Sequence, residues 1–139
     1  MGTGHLAAFA CYGVVSLFSM AFGAVYLLRS RFMSYHEEAL GEPWPQLGPR
    51  LQVLLLGLMR AAGGGMLGGG ISAAILLLIP FRAGETWSLW AIPLIGFVTV
   101  LPTLYATVYI RSRTGAHTPV WASVAGVGLL AIGLILSLV

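Results

Sequence analysis

The chain contains no lysine and no aspartate, and only one cysteine, Cys11. Its charged side chains are seven arginines and four glutamates, 8% of 139 residues. A single cysteine excludes an internal disulfide framework. Cys11 stands inside an apolar run and reads as an inert buried thiol. Without aspartate there is no Ser-His-Asp triad. No glutamate falls within a long apolar run, so the proton-relay carboxylate of an ion-coupled transporter is also missing. Neither a Walker loop nor HExxH occurs. Gly63, Gly65 and Gly68 in "GGGMLGGG" fit GxGxxG, but they lie in the middle of an apolar run with no strand before them, so this is not a nucleotide site. No aromatic-basic patch suggests nucleic acid. His5, His36 and His117 stand at the ends of apolar runs or between them, which argues against haem ligation from within a helix. The chain is therefore expected to be non-catalytic, with no metal and no resident cofactor.

What is present is apolar. Hydrophobic residues make up 58% of the chain and mean hydropathy is +0.93. A soluble domain of this size needs far more polar surface to cover its core. A membrane-spanning helix needs about 20 apolar residues, and four runs qualify: 5–28, 51–79, 87–110 and 120–138. The fold class expected is all-α, a four-transmembrane-helix bundle in a single domain. The first run is too long for a signal peptide and lacks a charged leader before it, so it reads as a retained helix. Met1-Gly2 is followed by Leu6 where a myristoylation signal needs Ser or Thr.

Arginine placement sets the expected orientation. Residues 29–50 carry Arg29, Arg31 and Arg50, and residues 111–119 carry Arg111 and Arg113, whereas residues 80–86 carry only Arg82. With four spans the first two segments share a side, which should be cytoplasmic. Both termini then lie outside, in what reads as a bacterial inner membrane. Segment 29–50 reads as an interfacial loop. It opens with a short helix over 32–40, stopped by Gly41 and kept from resuming by Pro43, Pro45 and Pro49, with Trp44 at the headgroups. The stretches "AVYLLRSR" (24–31) and "TVYIRSR" (107–113) end the first and third runs alike, which suggests two helical hairpins related by duplication.

The second run, "LLLGLMRAAGGGMLGGGISAAILLLI" (54–79), joins seven glycines to one arginine. Every fourth residue gives Gly57, Ala61, Gly65, Gly69 and Ala73; the adjacent row gives Arg60, Gly64, Gly68 and Ser72. In lipid, helices associate through close van der Waals contact, and small residues permit it. The first row is the expected packing face, within the chain or against a partner subunit. Arg60 lies roughly 13 Å along the helix from Leu51. It either snorkels to the headgroups or faces inward as a paired, functional charge. In the inward case Ser16, Ser19, Thr103 and Tyr105 lie at matching depth, and Gly64 and Gly68 leave space for a ligand. That makes a candidate pocket with one cation, hydroxyls and apolar walls, suited to a bound lipid or quinone. Tyr12, Ser16, Ser19, Gly23 and Tyr26 form one stripe on the first helix; Thr99, Thr103 and Thr107 form one on the third. The run "YHEEAL" with His117 offers metal-ligand types, but consecutive helical residues do not converge on one point.

The four-span layout and the stretch "IPFRAGETWSLWAIPLIGF" (79–97) resemble small bacterial four-helix membrane proteins of the DoxX-like type. The resemblance implies a helical membrane bundle serving as an accessory component of a larger complex, and carries no catalytic residue. The expected role is an accessory or structural subunit, with the lipid bilayer and other membrane subunits or a second copy as partners. The alternative is a binder or carrier of a hydrophobic or anionic amphiphile at the Arg60 pocket.

Overall fold

The computed structural model describes residues 2–139. Among them there is no strand. Helix α1 spans Thr3–Leu28, the short α2 spans Ser34–Leu40, α3 spans Pro49–Leu76, α4 spans Ser88–Thr114 and α5 spans Val120–Ser137. Each boundary has a local cause. Gly41, at φ 71°, closes α2, and Gly115, at φ 74°, closes α4; both occupy the left-handed conformation that glycine adopts without cost. Pro49 opens α3 in its first turn, where a missing N–H is harmless. At its far end α3 runs on through a π turn, Leu77–Phe81, that contains Pro80. Proline cannot donate and its ring crowds the preceding turn, so the wider π turn accommodates it.

Four helices are long and apolar enough to cross a membrane: Thr3–Leu28, Pro49–Phe81, Ser88–Thr114 and Val120–Ser137. They pack side by side in a ring in which α1 touches α3 and α5, and α4 touches the same two. Successive long helices run in opposite directions, so one end of the ring gathers Arg29, Arg31, Arg50, Arg111 and Arg113. The termini lie at the other end.

The seams are built on glycine. A Cβ on Gly23 would come within 2.7 Å of the Gly63 carbonyl oxygen and 2.6 Å of the Leu67 nitrogen; one on Gly63 would meet the Gly23 oxygen at 2.8 Å. Here α1 and α3 touch backbone to backbone. Gly70 continues the seam against Ser16 and Met20, Gly133 of α5 lies under the Tyr12 ring, and Gly96 of α4 under Leu130. The buried positions of α3 are Met59, Gly63, Gly70 and Ala73, with Leu77 following, at intervals of three, four and seven. The expected packing row, Gly57 to Ala73 by fours, is therefore split. Gly69 faces Thr99 and Ala73 is buried, but Gly57, Ala61 and Gly65 are exposed, and a Cβ on either of those two glycines would meet nothing within 4 Å. The reason is helical phase. At 3.6 residues per turn, a row taken by fours drifts about 40° per step and turns roughly 160° between Gly57 and Ala73.

The dense core, Ala8, Tyr12, Val15, Leu77, Phe81, Ile92 and Leu130, occupies the half of the ring nearer the termini. Phe81 stacks on His5 at 5.0 Å and meets Tyr12 edge-on at 5.9 Å. The arginine-rich half is packed less tightly. The two ends that read as a repeat also differ: Tyr26 is partly buried, whereas the matching Tyr109 is exposed against Tyr105.

Candidate functional site: a hydroxyl-lined lateral cleft

Near the termini α1 and α5 are in contact, with Gly4 close to the Leu136 carbonyl and Gly133 against Tyr12. Toward the arginine-rich end, α5 presents Ala122, Ala125 and Gly126, which are too small to fill the space to Phe18 and Phe22 of α1. The result is a cavity of about 130 Å³. An apolar cavity of about 150 Å³ holds benzene, so this one accepts a ring or a length of acyl chain. Phe18 and Trp121, 57% and 74% exposed, edge it, so it opens sideways between α1 and α5. Its back wall is Met66 of α3 with Val100, Thr99, Thr103 and Thr107 of α4, and Tyr26 and Tyr35 line its arginine-rich end. No lining side chain is charged.

Apart from Trp121, its polar side chains are hydroxyls. Thr99 donates to the Ile95 carbonyl at 2.8 Å, Thr103 to the Thr99 carbonyl at 3.2 Å and Thr107 to the Leu104 carbonyl at 3.0 Å. Each thus satisfies its hydrogen on its own helix and keeps its oxygen as an acceptor. Ser19 and Ser123 line the cleft as well. A second void of about 10 Å³, the size of one water, lies deeper, beside Ser16, Ser19, Gly69 and Thr99.

Tyr35 reaches the cleft from α2, which hydrogen bonds at Tyr35 and Glu38 help to hold against the rest of the chain. Tyr35 and Tyr26 share a hydrogen bond between their hydroxyls. Glu38 Oε2 accepts from the His117 backbone N–H at 2.9 Å and lies 3.1 Å from its Nδ1. The His117 N–H, with its side chain second, holds the Glu38 carboxyl below its usual 4.5. Burial pushes the Tyr35 hydroxyl up, the bond to Tyr26 adds to this, and Tyr35 stays protonated at any physiological pH. Burial among the Phe32, Tyr35 and Tyr26 rings lowers His36 from its usual 6.5 and keeps it neutral, with Nδ1 unpartnered.

Both lowered values have the same consequence. Their contribution to the docking of α2 is complete above the ordinary value of each group and is lost as pH falls through its lowered value. Exchange protection of residues 34–40, corrected for intrinsic rates, should therefore decline below pH 6.5 as His36 protonates and again below 4.5 as Glu38 does. Glu38→Gln should remove the second decline and leave the first. A single decline common to both proteins would contradict this assignment.

The structure places the anticipated pocket residues in two groups. Ser19 and Thr103 line the cleft; Ser16 lies beside the smaller void and donates to the Tyr12 carbonyl at 2.8 Å. Arg60, Gly64, Gly68 and Tyr105 are elsewhere. Tyr105 follows Thr103 by two positions, about 200° round the helix, and is 71% exposed. Arg60 precedes Gly69 by nine positions, about 180° round, so it faces away from α4; it is exposed, and Gly64 and Gly68 have nothing beside them. Matching depth along the helices did not mean matching direction. Tyr35 and the small side of α5 were not anticipated. The spacing of Ala122, Ala125, Gly126 and Gly133 was the available signal for the latter. Among the described residues no three His, Cys, Asp or Glu side chains gather, although Glu38 and His117 do meet.

Arg60 has a simple physical account. It lies 11 residues past Pro49, roughly 16 Å along a 33-residue segment that is roughly 50 Å long. In a hydrocarbon core of about 30 Å it sits only several ångströms inside the edge, within reach of its own side chain, which leans toward the helix N-terminus. Arg60→Lys and Arg60→Leu should each change stability by no more than about 0.5 kcal/mol in nanodiscs. A larger fall in melting temperature for the leucine variant would return Arg60 to a buried, paired role.

No family model, curated protein or solved structure matches this chain.

Proposed function

We propose that this chain is an integral protein of a bacterial inner membrane, a four-helix bundle with both termini outside, that holds a neutral amphiphile in the cleft between α1 and α5. One observation carries the reading: a cavity walled by apolar side chains and hydroxyls, with no charge, that opens sideways. In a bilayer a side opening faces lipid, so what reaches it is lipid-soluble. The absence of a charged lining supports a neutral amphiphile in the cleft over an anionic one at Arg60. The arginine asymmetry supports the orientation, in which the cleft would lie in the inner leaflet. Chromatographic and mass-spectrometric analysis of organic extracts should find one neutral amphiphile per chain after gentle purification. Phospholipids alone, in the proportions of the host membrane, would contradict it.

A second observation favours an accessory role beside this one. The outward side of α3 carries Gly57, Gly64, Gly65 and Gly68, none with a neighbour within this chain, and helix association in lipid uses such surfaces. The DoxX-like layout fits the same reading. Gly64→Leu with Gly68→Leu should dissociate a partner subunit or second copy, seen by native mass spectrometry, while the single chain melts as before. Gly69→Leu is a poor probe of this surface, since its Cβ would collide with Thr99. An unchanged assembly in the double variant would mean that this side meets acyl chains.

A further inference from the structure

The cleft has no charge, but its donors and acceptors are unevenly distributed. The threonines of the back wall have their hydrogens engaged by carbonyls of α4, so they can only accept. The Tyr26–Tyr35 pair differs. Two hydroxyls carry two hydrogens, and the bond between them uses one. Whichever tyrosine donates, the other keeps a hydrogen, and a hydroxyl that is itself accepting a hydrogen bond is a stronger donor. Both rings line the same end of the cleft, where Tyr35, on α2, closes it toward the arginine-rich side. Burial keeps the Tyr35 hydroxyl protonated. Arg29 is close enough to Tyr35 to act on its charge but is not among the lining residues. An anionic head in the cleft would thus lack a cation in a low dielectric, and a cationic head would lack a carboxylate, each a costly arrangement.

We infer that the Tyr26–Tyr35 hydroxyl pair is the polar anchor of the cleft, and that it donates its uncommitted hydrogen to a carbonyl oxygen of a neutral amphiphile whose apolar part leaves between Phe18 and Trp121. This rests on the binding role proposed above and narrows it to carbonyl-bearing ligands. Two lipid-soluble sources supply that chemistry: the ester of a neutral glycerolipid and the ring oxygen of a quinone.

The pairing gives the test an unusual signature. Tyr26→Phe and Tyr35→Phe each leave one hydroxyl with a free hydrogen, so each alone should weaken binding only slightly. The double variant removes the last donor of the pair and should weaken it about tenfold, the worth of one hydrogen bond. The full-length protein in phosphatidylcholine nanodiscs is titrated with dioleoylglycerol, with a decyl benzoquinone, and with the dioleyl diether of glycerol, which has no carbonyl. The wild type should bind one or both carbonyl probes, and the stronger of them identifies the source. The diether should bind wild type and double variant equally. With a ¹³C-carbonyl probe, the infrared carbonyl band should be lowered in the wild type and unshifted in the double variant, a readout that does not depend on affinity. Tyr35 lies outside the spanning helices, so Tyr35→Phe, with its intermediate band position, tests the pair even if the double variant is unstable. Equal binding of the carbonyl probes by wild type and double variant, an unshifted band in the wild type, or displacement of the probes by phosphatidylglycerol would overturn the anchor while leaving the cleft as a binding site. Failure of the wild type to bind any of the three probes would overturn the binding role itself.

Discussion

Gly63→Leu should abolish the folded protein, whereas Gly65→Leu, two positions on, should leave the isolated chain intact. The contrast follows from what each side chain would strike. At Gly63 even a Cβ meets the Gly23 carbonyl oxygen at 2.8 Å and the Leu27 nitrogen at 3.1 Å, and the Tyr26 Cβ at 2.7 Å. The first two are backbone atoms and cannot rotate aside, so α1 and α3 must separate. Overpacking by side chains alone typically costs about 1–3 kcal/mol. Prising apart two helices in direct backbone contact should exceed that range and lose much of the van der Waals attraction that holds helices together in lipid. At Gly65 a Cβ meets nothing within 4 Å. The check is the yield of monodisperse protein and its melting in detergent. Equal melting of the two variants would mean that α1 and α3 do not cross at Gly23 and Gly63.

Ala122→Leu with Ala125→Leu should eliminate ligand binding and raise the stability of the empty protein. Both alanines line the cleft, on the side of α5 that looks toward α1. Two leucines there restore the contact with Phe18 and Phe22 that α1 and α5 lack at this level. Filling a cavity commonly adds about 0.5–2 kcal/mol, and the same atoms displace the occupant, so affinity should fall by tenfold or more. Melting of ligand-free protein and binding of the carbonyl probes, measured side by side, should move in opposite directions. If stability and binding both fall, the alanines serve packing and the cleft is not a built site.

The opposed outcomes at Gly63 and Gly65 also show what could be read from the sequence. The four spans were legible because a bilayer imposes a length and a hydropathy that few other structures share. The stops were legible because Gly41 and the prolines after it act locally. The inward stripe of α1 was legible too: Tyr12, Ser16, Ser19 and Gly23 are buried together. Direction around α3 was not. Its glycines are so numerous that small residues point every way, and the row by fours was as regular as the seam at Met59, Gly63, Gly70 and Ala73. With depth alone to go on, Arg60, Gly64, Gly68 and Tyr105 were joined to Ser16, Ser19 and Thr103, although they face other ways. The cleft itself is a shape made by absences, two alanines and a glycine on α5, and by Tyr35 arriving from the short α2. Neither periodicity nor a motif marks such a place; only the packing of α1, α4 and α5 around it does.

Saturable photolabelling tests the binding role most directly. A neutral acylglycerol carrying a diazirine on its chain is incorporated with the full-length protein into nanodiscs, and the labelled peptides are mapped with and without excess unlabelled lipid. The cleft predicts label that the competitor removes, confined to residues 18–22 of α1, 121–129 of α5 and the back wall at Met66, Thr99, Val100, Thr103 and Thr107, and absent from the Ala122→Leu, Ala125→Leu protein. Label that no competitor removes, spread over the outward residues Leu54, Leu58, Leu94 and Leu101 with none inside the cleft, would show that this protein meets its lipids only as solvent.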